Sequence, residues 1–359
     1  MTLKVAIVAD DLTGALDTGT PFVDAGLSVA VAHDGGAVEA ALATGAEVVV
    51  VNTVSRGLDP VQATHCVRQA ATTLCQASPE FVLKKIDSRL KGNVAAESET
   101  FALAVGRRRL LVAPAVPDQG RYTRESHVVG FGVDEPLPIA SLFSGRALDV
   151  RIADAATDED LDDIVESVDW RSTIGVGARG LGRALARRLA RPSSPAAFEP
   201  SPRTLFAFGS RDPITETQMA VLLDSGLVAS HLDAPDGDVP DEHGPPRLPT
   251  LLRCTGVLAE RPEIVAERFA AGVSRLVAAM TPDLLMMGGG DTAYAILRAL
   301  GARVLLPKGE IEAGIPWFET TRPDGRRMRC AVKSGGFGKA QSLLKVLRDA
   351  PDVRHAGDK

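Results

Sequence analysis

The stretch VAIVADDLTGALDTG, residues 5–19, decides the fold. Its first five residues are apolar and largely β-branched, which reads as a strand buried on both faces. Asp10 and Asp11 follow at once, and a helix begins near Thr13-Gly14. A strand running through two carboxylates into a helix is the opening of a βαβ unit. Either Asp11 or Thr13 could cap that helix. Capping accounts for one carboxylate at most, and adjacent carboxylates repel unless a cation or a proton lies between them. The pair is therefore a candidate for binding or chemistry.

Outward from this unit the rhythm repeats. Short apolar runs at 48–51, 81–83 and 110–112 alternate with helical stretches at 15–25, 61–74 and 95–105. A strand at 150–153, a helix at 158–168, a strand at 174–177 and a helix at 181–189 continue it. A parallel sheet with crossover helices is the economical arrangement. Residues 190–204, ARPSSPAAFEPSPRT, hold four prolines and three serines without periodicity and mark a linker. Beyond it the pattern predicts strands at 205–208, 284–287 and 328–332, helices at 213–223, 263–279, 292–300 and 340–347, and a loop at 233–249. The expected class is α/β with two domains, each a mostly parallel sheet flanked by helices. Their expected extents are 1–192, a linker at 193–203, then 204–350, with a tail at 351–359.

A chain of 359 residues that is 45% apolar suits two ordinary cores. The net charge of −6 argues against a polyanion such as nucleic acid as partner. Cys66, Cys75, Cys254 and Cys330 form no CxxC pair, so neither a disulfide framework nor a thiolate zinc site is expected. The apolar start LKVAIVA is too short for a secretory signal, and no apolar run reaches membrane-spanning length. A cytoplasmic protein is expected, with a small molecule as partner, no membrane, and self-association into a homo-oligomer left open.

Ligands of open parallel sheets sit at the carboxyl ends of the strands. There the first domain gathers Asp10 and Asp11; Arg56 after the second run; Lys84, Lys85, Asp87, Ser88 and Asn93 in KKIDSRLKGN; and Gly120 and Arg121 in PAVPDQGR. Cations beside carboxylates and hydroxyl or amide groups suit a small polyhydroxylated anion, a sugar acid. His127, the histidine near these ends, reads as structural. The second domain instead repeats strand end, small-residue turn and helix start in FGSRDPITETQ, MGGGDTAYAIL and KSGGFGKAQSLL. Glycines let backbone N–H groups approach a phosphate, and helix N-termini add positive potential. No Walker loop or dinucleotide fingerprint is present, which counts against a P-loop NTPase and a Rossmann dehydrogenase.

In order and spacing, ADDLTGALDTG, KKIDSRLKGN, APAVPDQGR, GSRDPITETQ, GGGDTA and KSGGFG resemble the four-carbon acid sugar kinase family, once a domain of unknown function. The resemblance spans nearly the whole chain. It implies a sugar-acid-binding N-terminal domain, an ATP-binding C-terminal domain, and phosphorylation of threonate, erythronate or an oxo-tetronate, usually at the terminal hydroxyl. Mg²⁺ is expected with ATP, at ligands the sequence does not specify, and the active site in the cleft between the domains. Arg56 with Lys84 or Lys85 would hold the sugar carboxylate; Asp87, Ser88, Asn93, Gly120 and Arg121 would read hydroxyls or steady the phosphate. Ser210, Gly288, Gly289, Gly290, Asp291, Thr292, Gly335, Gly336, Phe337 and Gly338 would cradle ATP. The carboxylate that orients or deprotonates the hydroxyl is Asp10 or Asp11, with Asp291 as competitor. A non-catalytic sugar-acid sensor, or a kinase for another small sugar acid, is the alternative.

Overall fold

The computed structural model describes residues 3–240, 246–257 and 261–348. The chain divides into two compact units. The first runs to Ala196 and adds Gly301–Gly309 and Phe318–Arg326; the second takes Ala197–Leu300, Glu310–Trp317 and the chain from Arg327. A single cut at 193–203 thus differs from the observed division by two segments that return to the first unit. The stretch around that cut lacks regular structure but is anchored at both ends. Arg191 donates to Gly26 O and pairs with Glu47, and Ser201 Oγ donates to Asp283 Oδ2 at 3.1 Å.

In the first unit β1 (Val5–Ala9), α1 (Leu12–Asp24), β2 (Val29–Ala32), α2 (Val38–Ala43), β3 (Val48–Asn52), α3 (Pro60–Cys75), β4 (Phe81–Lys85), α4 (Val94–Ala104) and β5 (Arg109–Ala113) follow one another. A small antiparallel sheet comes next, of β6 (Arg121–Arg124), β7 (His127–Gly130) and β8 (Leu137–Pro138). Then come β9 (Asp149–Ile152), α5 (Asp158–Glu166), β10 (Thr173–Gly177) and α6 (Arg179–Arg188). The second unit is built on β11 (Thr204–Phe208), α7 (Pro213–Asp224), β12 (Ser230–Pro235), β13 (Thr250–Thr255), α8 (Pro262–Met280), β14 (Leu284–Gly288) and α9 (Gly290–Ala299). The chain then passes through β15 (Val304–Glu312) and β16 (Ile315–Thr321) to β17 (Arg327–Lys333).

The main sheet of the first unit has the order β15-β2-β3-β1-β4-β10-β5-β9. Its strands are parallel except β15, which lies antiparallel against β2 with Val304 opposite Ala32. The second unit orders β12-β13-β11-β14-β17, all parallel. Every residue of β1, β3, β11 and β14 is buried, as strands covered by helices on both faces require. Ala6, Val8, Val49, Val51 and Phe101 centre one core; Phe206, Phe208, Met286 and Trp317 centre the other. The expected α/β class with mostly parallel, helix-flanked sheets is what forms.

Several local expectations are corrected. Residues 342–346 wind as a 3₁₀ helix where an α-helix was expected over 340–347. The loop expected at 233–249 begins inside β12, which extends to Pro235; its residues 241–245, like the tail at 351–359, lie outside the described residues. Strand β4 extends through Lys84 and Lys85, so these lysines belong to the strand and alternate between its faces. Among the described residues no helix is long and apolar enough to cross a membrane.

Candidate active site

The residues singled out in the first unit meet at the carboxyl ends of its central strands. Asp11 is extended, with φ −143° and ψ 160°, and caps α1: its Oδ1 accepts from Gly14 N at 3.0 Å. Thr13 Oγ1 donates to Asp11 Oδ2 at 2.6 Å, so both capping candidates cooperate. The cation between the carboxylates is Arg56. Its Nε donates to Asp10 Oδ2 at 2.8 Å and its Nη2 to Asp10 Oδ1 at 2.9 Å, while Nη1 and Nη2 reach Asp11 Oδ2 and Oδ1 at 2.9 and 2.8 Å. Asp87 Oδ2 stands 3.9 Å from Arg56 Nη1. Burial opposes the Asp10 charge, yet Lys84, Arg56 and Lys85 outweigh it and hold the carboxyl below the ordinary Asp value. Burial likewise opposes the Arg56 charge, and the surrounding carboxylates more than compensate, raising its pKa.

The other predicted residues of this half separate into two groups. Lys84 is wholly buried, donates to the Lys85 carbonyl and pairs with equally buried Glu97 at 2.9 Å, so its ammonium acts on Asp10 through the field. Lys85 Nζ donates to Ile86 O at 2.8 Å, near Gly14 at the start of α1. Asn93 Nδ2 is spent on Leu58 O at 2.9 Å, and His127 Nδ1 lies 2.7 Å from Glu125 O. The second group is more open. Arg121 Nη1 donates to Ser88 Oγ at 2.6 Å and to Gln119 Oε1 at 3.0 Å, its chain direction set by Gly120 in the left-handed region at φ 66°. Asp87 Oδ1 accepts from Arg89 N at 2.8 Å. Burial and then the like charge of Arg89 lower the Arg121 pKa, with Asp87 opposing. Two guanidiniums close enough to repel form a natural seat for an anion.

In the second unit the three small-residue turns follow β11, β14 and β17, parallel strands in register. Gly209 N and Ser210 N both donate to Gly288 O, and Gly289 N to Lys333 O at 3.0 Å. Gly289 caps α9 at φ 101°, a conformation that disfavours side chains. Gly290, Asp291 and Thr292 make the first turn of α9, whose cap supplies no side-chain acceptor to its N–H groups. A Cβ on Gly335 would fall 2.8 Å from Asp212 Cβ and 2.9 Å from Ser210 Oγ, whereas Gly336 is exposed. Phe337 packs on Gly314, and Gly338 closes the turn at φ 86°. Unpaired backbone donors in a cradle without side chains fit the phosphates of a nucleotide.

Sequence reasoning passed over several residues that build these sites. Glu97 neutralises Lys84 from α4, and Arg89 stands beside Arg121. Lys333, Thr215 and Gln218 tie down the 334–338 loop from below. The last three lie inside the quoted motifs, but only Lys333 carried a local signal, a cation directly before a glycine turn.

Comparison with known proteins assigns both halves. Residues 5–141 match a family described as the sugar-binding N-terminal domain, and residues 250–343 one described as the nucleotide-binding C-terminal domain. A D-threonate kinase of Bordetella bronchiseptica is 28% identical over 96% of this chain and 96% of its own length. A 3-oxo-tetronate kinase of Methylobacterium radiotolerans is 27% identical over 97% of this chain and 99% of its own. A Haemophilus influenzae protein of DUF1537 shares the fold, with TM-score 0.69 at 17% identity over 95% of this chain and 98% of that one. A sugar-binding half, a nucleotide-binding half and relatives matched from end to end place this chain in the four-carbon acid sugar kinase family.

Proposed function

We propose that this protein is a cytoplasmic kinase that transfers the γ-phosphoryl group of ATP to the terminal hydroxyl of a four-carbon sugar acid of the threonate, erythronate or 3-oxo-tetronate type. The observation that carries the reading is the Asp10–Arg56–Asp11 cluster at the strand ends of the sugar-binding half. Phosphoryl transfer asks for an aligned hydroxyl and stabilised charge more than for a strong base. Two carboxylates bridged by one guanidinium supply that alignment. Asp11 is the more open of the two, its side chain 19% exposed against 4% for Asp10, so Asp11 accepts from the substrate hydroxyl while Asp10 fixes Arg56. Asp291 remains the competing base in the nucleotide-binding half.

Arg56 is committed to its carboxylates, which leaves Arg121, Arg89 and Lys85 to receive the sugar carboxylate, with Ser88 and Asp87 on its hydroxyls. The first turn of α9 from Gly290, with Gly335 and Gly336, presents backbone donors to the phosphates of ATP. Mg²⁺ would supply charge neutralisation on the transferring group. The test is an ADP-release assay with Mg-ATP across D- and L-threonate, D-erythronate and the 3-oxo-tetronates, with the phosphorylated hydroxyl located by NMR. Turnover on the order of 1–100 s⁻¹ with one of these acids is expected. ATP binding without ADP release for any of them would overturn the reading in favour of a sensor.

A further inference from the structure

The glycine loop at 334–338 is shaped by a buried cation. Lys333, the last residue of β17, is fully buried, and its Nζ donates to Thr215 Oγ1 at 2.7 Å, Ser334 O at 3.0 Å and Gly335 O at 2.7 Å. An ammonium has three N–H groups, and here each finds one oxygen. Thr215 Oγ1 donates onward to Gly335 O at 2.9 Å. Further along α7, Gln218 Nε2 donates to Phe337 O at 3.0 Å and Lys339 O at 2.9 Å. The loop carbonyls are thus drawn inward. In a trans peptide the N–H points opposite to the C=O of the same unit. With Ser334 O and Gly335 O held on the ammonium, the N–H groups of Gly335 and Gly336 are turned away from it.

We propose that Lys333 is a positioning residue of the nucleotide site: through the carbonyls of Ser334 and Gly335, its ammonium aims the Gly335 and Gly336 amides at the phosphates of ATP. This rests on the reading of residues 335–338 as phosphate ligands. The ammonium touches no phosphate itself.

The arrangement makes nucleotide affinity depend on pH. Burial pushes the Lys333 pKa down to about 8, with Asp212 opposing. Asp212, the cap of α7, is the charged group facing it; Thr215 and Gln218 on that helix are neutral, and neighbouring β14, LLMMG, carries no charge. A neutral amine keeps two N–H groups and turns a lone pair toward the third oxygen. ATP affinity therefore falls as pH rises through about 8. The stability term has the opposite sign. The unfolded chain holds this proton up to about 10.5, so between about 8 and 10.5 the unfolded state binds more protons and the Lys333 contribution to stability rises with pH. Alkaline loosening of the whole fold would move both quantities downward.

The experiment is calorimetric titration of the full chain with ATP and, separately, with its sugar acid, from pH 7.0 to 9.5, on wild type, Lys333→Met, Thr215→Val and Gly336→Val. Wild type should lose about tenfold in ATP affinity across that range, the scale of one charge-assisted hydrogen bond, with sugar-acid affinity unchanged. Lys333→Met should show the loss already at pH 7 and a flat profile above it. If that variant fails to fold, Thr215→Val, which removes one of the three oxygens, should weaken ATP at pH 7. Wild-type ATP affinity in either folded variant, with the alkaline fall intact, overturns the role of Lys333. Gly336→Val separates the two readings: if it binds ATP normally the loop is not a phosphate site at all, and if it alone loses ATP only the Lys333 proposal fails.

Discussion

The two candidate sites are constructed in opposite ways. In the sugar-binding half, charged side chains satisfy one another: one guanidinium holds two carboxylates through four short hydrogen bonds. In the nucleotide-binding half, the working groups are backbone amides left without partners by glycine turns, and the charged side chain that matters is buried beneath them. On the function proposed above, the first construction reads a small polyhydroxylated acid by the identity and reach of side chains. The second reads phosphate, which every nucleotide carries, by main-chain geometry. Chemical discrimination therefore concentrates in the first half, and a single charge change there should matter more than one in the second.

The largest expected effect tests whether the carboxylates do more than support structure. Asparagine caps a helix about as well as aspartate, so Asp11→Asn should preserve α1, the fold and ATP binding. Turnover should nevertheless fall on the order of 10²–10⁴-fold if this group orients or deprotonates the hydroxyl. Steady-state kinetics beside Asp291→Asn decide it: if only the Asp291 variant loses turnover, the base belongs to the nucleotide-binding half and the contrast collapses. A smaller effect is expected at Arg121. Arg121→Gln should raise KM for the sugar acid about ten- to a hundredfold, the worth of a charge-assisted pair, and leave KM for ATP alone. Equal changes in both constants would remove Arg121 from the acid's seat.

The smallest effect concerns stability in acid. Because Asp10 sits below its ordinary pKa when folded, its contribution is present above the unfolded value of about 3.8 and is lost as pH falls through the lower folded value. Asp10→Asn should thus flatten the acid limb of the Tm–pH curve by on the order of a few degrees. An acid limb identical to wild type would mean that the cluster does not hold Asp10 ionised.

What the sequence disclosed follows from how local each signal is. Strands β1, β3, β11 and β14 are runs of buried apolar residues bounded by turn residues, and they stand out without reference to anything else. Strand β2 is only VAVA, half of it alanine, and β15 carries Pro307 and Gly309 inside VLLPKGEIE, which reads as a loop. The carboxylates and arginines of the sugar-binding half were visible because chemistry-bearing residues end apolar runs. Their assignments were not. Lys84 resembles an exposed ligand until Glu97, brought from α4, closes on it. Lys333 likewise finds Thr215 only through α7, with 118 residues separating the lysine from the threonine.

The return of residues 301–309 and 318–326 to the first unit bears on how the protein is made. Until Val304 and Leu305 leave the ribosome, β2 has only β3 beside it and its other rim of N–H and C=O groups is open. The nascent sugar-binding half therefore spends the synthesis of about a hundred further residues with an unpaired edge, the kind of template on which chains aggregate. A gene truncated at the proline-rich stretch would make that state permanent. The dependence runs one way: the second unit is encoded wholly after Ala196, while the first is completed only by segments encoded within the second's span.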